Sequence, residues 1–586
     1  MSDTPGTELL PQSTAVVPKG ALFATLAGLA ALIGLLQSRA ASWVCDDAFI
    51  SFRYAKNFAD GHGLVFNVGE RVEGYTNFLW TLLTAVAMKW KIDPVAFTIV
   101  TGIACFVITI LLFSMLSWRI QRAQAGLAVF VPMTALALAV HHDAAVYATS
   151  GLETSFFTLL ISLLYASIAF GTTDGSLIGA GVLTALAMLT RPDGIVFMVG
   201  TLVYLFFTRR RRIIAGALYS LPVILIYLPY WIWRFRYYGF PFPNTFYAKS
   251  ADLQYYSQGL IYLWTYFQSY YALLLLPLLL CLWLWKYRKG MMSTMRTFPP
   301  LFESEKIAHR ALLLAVIFTF LQIVYVVRVG GDFMFARFFI PITPPMLFAI
   351  ELCSLVVFER RAVLVAGMVI LGIFIRFDLF AAAPIDGYIA DEPKFYPADR
   401  MSHERNVGEY LHNAIAGLPV KAAFAGTYAK TMYYMDPPIA IEMMTGLTDT
   451  AIAHQKLEQR GRPGHEKHAT LEYLEKRGVD FMFNLDAGRQ GAINQIEMVD
   501  IPVQILRYEN SIMDHLAQYP AIQFVKVPAL LDEYFTRVDT DRVEDLRADY
   551  QMIRHYYFEC NQDTARERRF RDYIRRAEER KSLRQK

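Results

Sequence analysis

Charge is scarce in this sequence. Only 18% of its 586 residues are Asp, Glu, Lys or Arg, against about 25% in soluble domains, while 55% are hydrophobic and mean hydropathy is +0.32. That balance excludes a disordered chain and argues against a soluble enzyme. Cysteine is also scarce: Cys45, Cys105, Cys281, Cys353 and Cys560 are scattered without a CxxC spacing. They read as small core hydrophobes rather than as a disulfide or metal framework. The net charge of +5 is too small to point to nucleic acid. Internal repeats and low-complexity stretches are missing, and so is any GxGxxG or GxxxxGK[ST] run between a strand and a helix. No nucleotide cofactor is therefore expected.

What the chain has instead is apolar runs. A spanning helix needs about 20 mostly apolar residues, and after a polar tail, Met1 to Lys19, the stretch Gly20 to Leu36 qualifies. Its flank lacks a basic cluster and a small-residue cleavage site, so it reads as an uncleaved first span. Further runs lie at 94–118, 126–141, 153–170, 176–190, 194–208, 213–233, 267–285, 308–327, 338–357 and 362–378. Basic clusters at Arg119 and Arg122, Arg209 to Arg212, Lys286, Arg288 and Lys289, and Arg360 and Arg361 mark the inner side. All four stay inside if residues 75–90 form a re-entrant or interfacial helix, anchored by Trp80, Lys89, Trp90 and Lys91.

The expected architecture is a polytopic α-helical membrane protein of about eleven spans with interfacial helices. Residues 1–19 are a cytoplasmic tail, 20–379 the membrane domain and 380–586 an extracytoplasmic soluble domain. Strand-like runs at Val420 to Phe424, Asp480 to Asn484 and Gln523 to Val527, with a helical pattern at Ala469 to Lys476, give that last part an α/β or α+β character. Its end, Asp563 to Lys586, holds ten basic and five acidic residues. It reads as a solvated or membrane-surface helix with pairs such as Glu567 and Arg571.

Under this topology the polar chemistry gathers on the outer side. There lie Cys45 to Asn77, His141 to Ser155, Thr190 to Gly194, Tyr237 to Lys249 and Arg328 to Phe338. Asp46 and Asp47 are adjacent, so their side chains diverge and are poorly placed to share a proton. One serves as the N-cap of a helix over Ala48 to Phe58, or the other serves as a general base or metal ligand. Glu70, Arg71 and Glu73 form a polar knot that ion pairing explains equally well. Arg191-Pro192-Asp193-Gly194 has the makings of a turn as much as of a site. Lys249 and Arg337 are stronger candidates, because a phosphate at the membrane surface needs a cation.

The ordered set of a DD pair, GHGLVFN, GERVEGYTNFLW, GLET, TRPDG, PNTFYAK and GGDFMFARF, with GLTDTAIAH and GRPGHEK in the soluble part, resembles membrane-embedded glycosyltransferases of the GT-C fold class. Within that class it resembles the terminal β-(1→2) arabinofuranosyltransferase family, over residues 45–485. The resemblance implies a polyprenyl-phosphate sugar donor, an outer-face site beneath the first loop, and Asp47 or Asp46 as catalytic base. It further implies donor or acceptor binding by Arg53, Glu73, Tyr75, Asn77, His142, Asp143, Glu153, Arg191, Asp193, Asn244, Lys249, Asp332, Arg337, His465 and Lys467. Asp46 and Asp143 are the candidate ligands for a divalent cation, Mg or Mn. The implied partners are the lipid bilayer and an envelope glycan or glycoprotein acceptor, at a bacterial inner membrane. The acceptor and the sugar do not transfer with the family name. The rival class is a lipid-linked sugar transporter or flippase, which would place its binding groups near mid-bilayer on matched halves; the sequence has no such halves.

Overall fold

A computed structural model of the chain describes residues 19–123, 127, 129–294, 307–383, 385–457, 459–484, 493–538 and 542–585. Nearly all of the expected cytoplasmic tail, 1–18, lies outside them.

The chain is a multi-pass helical membrane protein with a mixed-sheet region at its C-terminal end. Five helices are long and apolar enough to cross a bilayer: α1 (Lys19–Ala40), α4 (Pro94–Arg122), α10 (Arg212–Tyr238), α14 (Ile307–Val329) and α15 (Thr343–Phe358, with the 3-10 turn Ile340–Ile342 before it). A sixth span exists if α12 (Tyr256–Ser269) and α13 (Leu275–Thr294) count as one, although they bend by 105°. This differs from about eleven full spans. Four of the apolar runs fold as shorter helices: α7 (Thr154–Phe170), α8 (Asp174–Thr190), α9 (Gly194–Thr208) and α16 (Ala362–Phe374). Between α1 and α4, α2 (Asp46–Ala59) packs on α3 (Phe78–Lys89). At 1.5 Å per residue α3 is roughly 18 Å long, too short to cross, in line with the interfacial reading.

The run 126–141 departs furthest from expectation. Among its described residues the only helix is α5 (Met133–Ala139), and α6 (His142–Tyr147) follows after a break. Yet the segment accompanies α1 from end to end. Lys19 Nζ donates to the Leu127 carbonyl at 2.6 Å, and Trp43 Nε1 donates to the Val146 carbonyl at 3.0 Å. Non-helical backbone at membrane depth must find partners inside the protein, and here polar side chains provide them. Gln121 exchanges two hydrogen bonds with the backbone of Val131, at 2.7 and 2.9 Å. Glu351 of α15 accepts from the Thr134 amide at 3.0 Å and hydroxyl at 2.6 Å, from Ser117 and from Gln121. Pro132, which has no N–H to offer a helix, stands just before α5.

The soluble part carries a six-stranded sheet in the order β4-β3-β5-β7-β6-β8. The strands are β3 (Lys421–Phe424), β4 (Ile439–Glu442), β5 (Phe481–Phe483), β6 (Gln495–Met498), β7 (Ile501–Ile505) and β8 (Ile522–Phe524). A small hairpin, β1 (Ile385–Asp386) with β2 (Ile389–Ala390), precedes it. β3 pairs in parallel with β4 and β5, while β5-β7, β7-β6 and β6-β8 are antiparallel, so the sheet mixes the two expected classes. β3, β5 and a helix at Leu471–Lys476 lie where the sequence pattern placed them, whereas the run Gln523 to Val527 is strand only at Gln523 and Phe524 and starts a helix at Val527. The basic C-terminal segment is helical over Thr564–Gln585 and does pair Glu567 with Arg571.

This sheet docks on the first loop. Asn67 exchanges hydrogen bonds of 2.9 and 3.0 Å with the backbone of Ala440 in β4. Arg53 of α2 donates to the carbonyls of Phe66 and Pro437 and pairs with Asp436 at 3.3 Å.

Candidate functional site

α2 begins with both aspartates inside it. Its N-cap is Cys45, whose side chain makes no capping bond, so neither aspartate caps the helix. Asp46 and Asp47 occupy the first turn instead, where the helix dipole favours negative charge. Their environments diverge, as adjacency requires. Asp46 is buried: its Oδ1 accepts from the Asp47 amide at 2.8 Å and from the Cys45 thiol at 3.3 Å, and burial raises its carboxyl to about 7, a rise that the nearby Tyr396 hydroxyl opposes. Asp47 lies among charges of both signs. Burial raises its carboxyl above the ordinary range; Lys249 and Arg337 oppose that rise, and Asp332 and Glu153 add to it.

Arg337 is held by the loop after α14. Gly330 and Gly331 sit at φ +91° and +73°, a left-handed conformation that suits glycine. Tyr262 and Tyr147 then clamp the chain by donating to the carbonyls of Met334 and Phe335 at 2.9 and 2.8 Å. Arg337 Nη2 reaches Glu153 at 3.1 Å and Nη1 stands 3.6 Å from Asp332, leaving its buried Nε without a partner.

Glu153 collects the second loop, the TRPDG turn and the re-entrant region. Asn77 donates to it at 3.0 Å and Arg191 at 3.2 Å, while Arg191 also grips both oxygens of Asp193 at 2.9 and 3.1 Å. Burial alone would raise Glu153, but Arg337 and Arg191 hold it below the ordinary range. The TRPDG run is thus a turn that also delivers a buried guanidinium.

Other candidates have their polar atoms committed elsewhere. Glu73 forms a buried ion pair with Arg234, and Tyr75 meets Tyr238 at 3.1 Å. Arg53 and Asn244 tie the membrane loops to the soluble domain; Asn244 donates to the carbonyls of Gly446 and Leu447 at 2.8 and 3.0 Å. Lys467 donates to the carbonyls of Tyr247 and Ala453, both at 2.6 Å. Asp143 pairs with Arg376 at 3.2 Å and with the Tyr270 hydroxyl, in a cluster of its own, which makes it a poor metal ligand. His142 is half-buried.

Two side chains from beyond the last membrane helix enter the site unannounced. Glu392 is buried with a carboxylate oxygen within 4.8 Å of Asp46 and Cys45, and Arg462 stands 3.7 Å from it. Burial and the two aspartates push Glu392 well up. The DEPKFY stretch around it has no feature that separates it from a surface turn, so only its placement reveals it. His465 meets Phe333 edge-on at 4.6 Å, and burial with nearby Arg462 brings its imidazole down to about 4, so it is neutral at pH 7. Among the described residues, Cys45, Asp46 and Glu392 are the group with metal-ligand spacing.

No family model matches the chain. Two curated relatives do, both named terminal β-(1→2)-arabinofuranosyltransferase. One, from Corynebacterium glutamicum, is 29% identical over 326 residues, covering 50% of this chain and 46% of the relative. The other, from Mycobacterium tuberculosis, is 31% identical over 319 residues, covering 50% of each. The chain thus spans about half the length of the curated relatives it matches. Among solved structures, ArnT from Cupriavidus metallidurans, crystallised with undecaprenyl phosphate, is similar at a TM-score of 0.44 and 13% identity, over 73% of this chain and 87% of that one. By sequence, the chain is a distant homologue, over half its length, of the terminal β-(1→2)-arabinofuranosyltransferases.

Proposed function

We propose that this protein is an inverting glycosyltransferase that moves a sugar, arabinofuranose, from a polyprenyl-phosphate donor to an envelope glycan or glycoprotein on the outer face of a bacterial inner membrane. The single observation that carries the reading is Asp47, a half-buried carboxylate in the first turn of a helix with Lys249 and Arg337 as its opposing charges. A base and a pair of cations at one membrane-surface site are what displacement of a lipid phosphate by a hydroxyl requires. Asp47 takes the proton of the acceptor hydroxyl, and the oxygen attacks the anomeric carbon. The bond from that carbon to the phosphate oxygen breaks, and the phosphate departs carrying the electron pair towards Lys249 and Arg337. Attack opposite the leaving group inverts the centre. Asp46, with its Oδ1 spent on the Asp47 amide and the Cys45 thiol, positions the base.

A hard divalent cation, where the reaction uses one, would be held by Asp46 and Glu392, since carboxylate oxygens suit Mg or Mn and the Cys45 thiol does not. It would supply further neutralisation of the departing phosphate. Topology follows the same reading: α7, α8, α9, α13 and α16 and the segment 127–146 also cross, giving about eleven passages. The basic ends of the helices then face the cytoplasm and the soluble domain the outside.

Asp47→Asn and Asp46→Asn, assayed separately for transfer from a synthetic prenyl-phosphate arabinofuranose, test the assignment. Asp47→Asn is expected to lose about 10²–10⁴-fold in kcat, with a smaller loss for Asp46→Asn. Wild-type rates in both would remove the base and the reading with it.

A further inference from the structure

Phe333 carries three polar side chains around one ring. Lys249 Nζ lies 5.7 Å and the Arg462 guanidinium carbon 5.3 Å from its centroid, with His465 at its edge. Two cations gathered on one ring repel each other, so their closeness calls for an anion. The nearby carboxylates, Asp47 for Lys249 and Glu392 for Arg462, leave Lys249 Nζ and Arg462 Nε without a hydrogen bond. Lys249 Nζ makes no hydrogen bond among the described residues, and Arg462 reaches Glu392 only at 3.7 Å, beyond hydrogen-bond range. Arg462 Nε is buried without a partner, and so is Arg337 Nε. Buried donors are ordinarily satisfied, so Arg462 Nε, unpartnered beside the unbonded Lys249 Nζ, marks the place of an acceptor with more than one oxygen. Phosphate has that geometry and charge, and arginine matches it with two parallel N–H groups.

Arg462 belongs to the soluble domain, on a loop whose frame is fixed. Arg460 pairs with Glu466 at 2.7 Å, the Gly461 amide donates to the same carboxylate at 2.9 Å, and Lys467 anchors the far end on the membrane-domain carbonyl of Tyr247. Gly464, at φ +79°, turns the backbone against the Lys249 stem, where a Cβ would lie 3.6 Å from Lys249 Cε. Within this frame Arg462 is the loosely held member.

Resting on the donor reading above, we propose that Arg462 is a phosphate-binding residue supplied by the soluble domain, and that its ion pair with Glu392 is the resting position it leaves when the donor's phosphate arrives. The soluble domain then completes the donor site, and Glu392 competes with the phosphate for one guanidinium.

The test measures binding of farnesyl phosphate to the detergent-solubilised full chain, with farnesol and inorganic phosphate as comparison probes. Wild type is expected to bind farnesyl phosphate more tightly than either. Arg462→Gln should weaken farnesyl phosphate at least tenfold and leave farnesol unchanged, which also reports that the variant is folded. Measured above the Glu392 pKa of about 9, where its carboxylate is charged, Glu392→Gln should tighten farnesyl phosphate several-fold, a sign that loss of a merely structural pair would not give. An Arg462→Gln affinity within twofold of wild type, alongside a tenfold loss in Lys249→Gln, overturns the role of Arg462 and leaves the donor reading standing. A wild type that binds farnesyl phosphate no better than farnesol overturns both. Inorganic phosphate binding as tightly as farnesyl phosphate overturns the lipid assignment.

Discussion

Arg337 and Glu153, 184 residues apart in the chain, meet at 3.1 Å, and Arg191 reaches the same carboxylate oxygen at 3.2 Å. One buried anion therefore sets the position of two buried guanidiniums, one of which opposes Asp47 across the site. Removing one partner of such a cluster leaves the others buried and uncompensated.

Glu153→Gln should accordingly lose about 3 kcal/mol of stability and lower kcat/KM, because Arg337 is no longer held. Thermal unfolding in detergent reads the first effect, and transfer assays at saturating and limiting donor read the second. A variant with wild-type melting and wild-type kinetics would show that Glu153 is dispensable to both.

The pH dependence of transfer follows from Asp47. Burial raises its carboxyl in the folded protein, and only the ionised form accepts a proton. kcat/KM should therefore fall as pH drops through a value above about 3.9, the ordinary aspartate pKa. Lys249 favours the ionised form, so Lys249→Gln should move this acid limb to higher pH, as well as weakening donor binding. An acid limb that stays in place in Lys249→Gln would separate the lysine from the base.

Glu351 is expected to matter for folding rather than for catalysis. Its carboxylate satisfies the Thr134 amide where the backbone runs non-helically through the membrane domain. Glu351→Leu strips four donors of their acceptor, and a loss of about 3 kcal/mol or more is expected. Glu351→Gln, which keeps one acceptor oxygen, should cost about half of that. Melting temperature of the purified protein measures both.

Asn67→Ala should loosen the soluble domain. It leaves the amide and carbonyl of Ala440 without their partners, at a cost of about 1–3 kcal/mol for each buried group. Faster proteolysis between residues 376 and 396, with the membrane helices intact, is the expected signature.

Much of the site was legible because adjacent residues cannot share a direction. Asp46 and Asp47 had to separate, and they do, one towards Cys45, Tyr396 and Glu392 and the other towards Lys249 and Arg337. Val420 to Phe424 and Asp480 to Asn484 were visible as strands because short apolar runs between polar turns have few other solutions. Glu392 and Arg462 were not visible, since a glutamate beside a proline and an arginine between a glycine and a proline look like ordinary surface turns. The break at Pro132 was equally hidden: an apolar run says that a segment is buried but not that Gln121 and Glu351 will stand in for its missing helical hydrogen bonds.

The sequence by itself determined that this chain lives in a bilayer, that a mixed helix-and-strand region follows the membrane helices, and that two neighbouring aspartates open a polar loop. Those properties depend on composition and on neighbours along the chain. Only the tertiary structure decided which charges oppose each other, because Glu153, Arg191 and Arg337, or Glu392 and Arg462, come together across long stretches of chain. Burial then gives those pairings their energy, since a charge removed from water must be matched by whatever the fold places beside it.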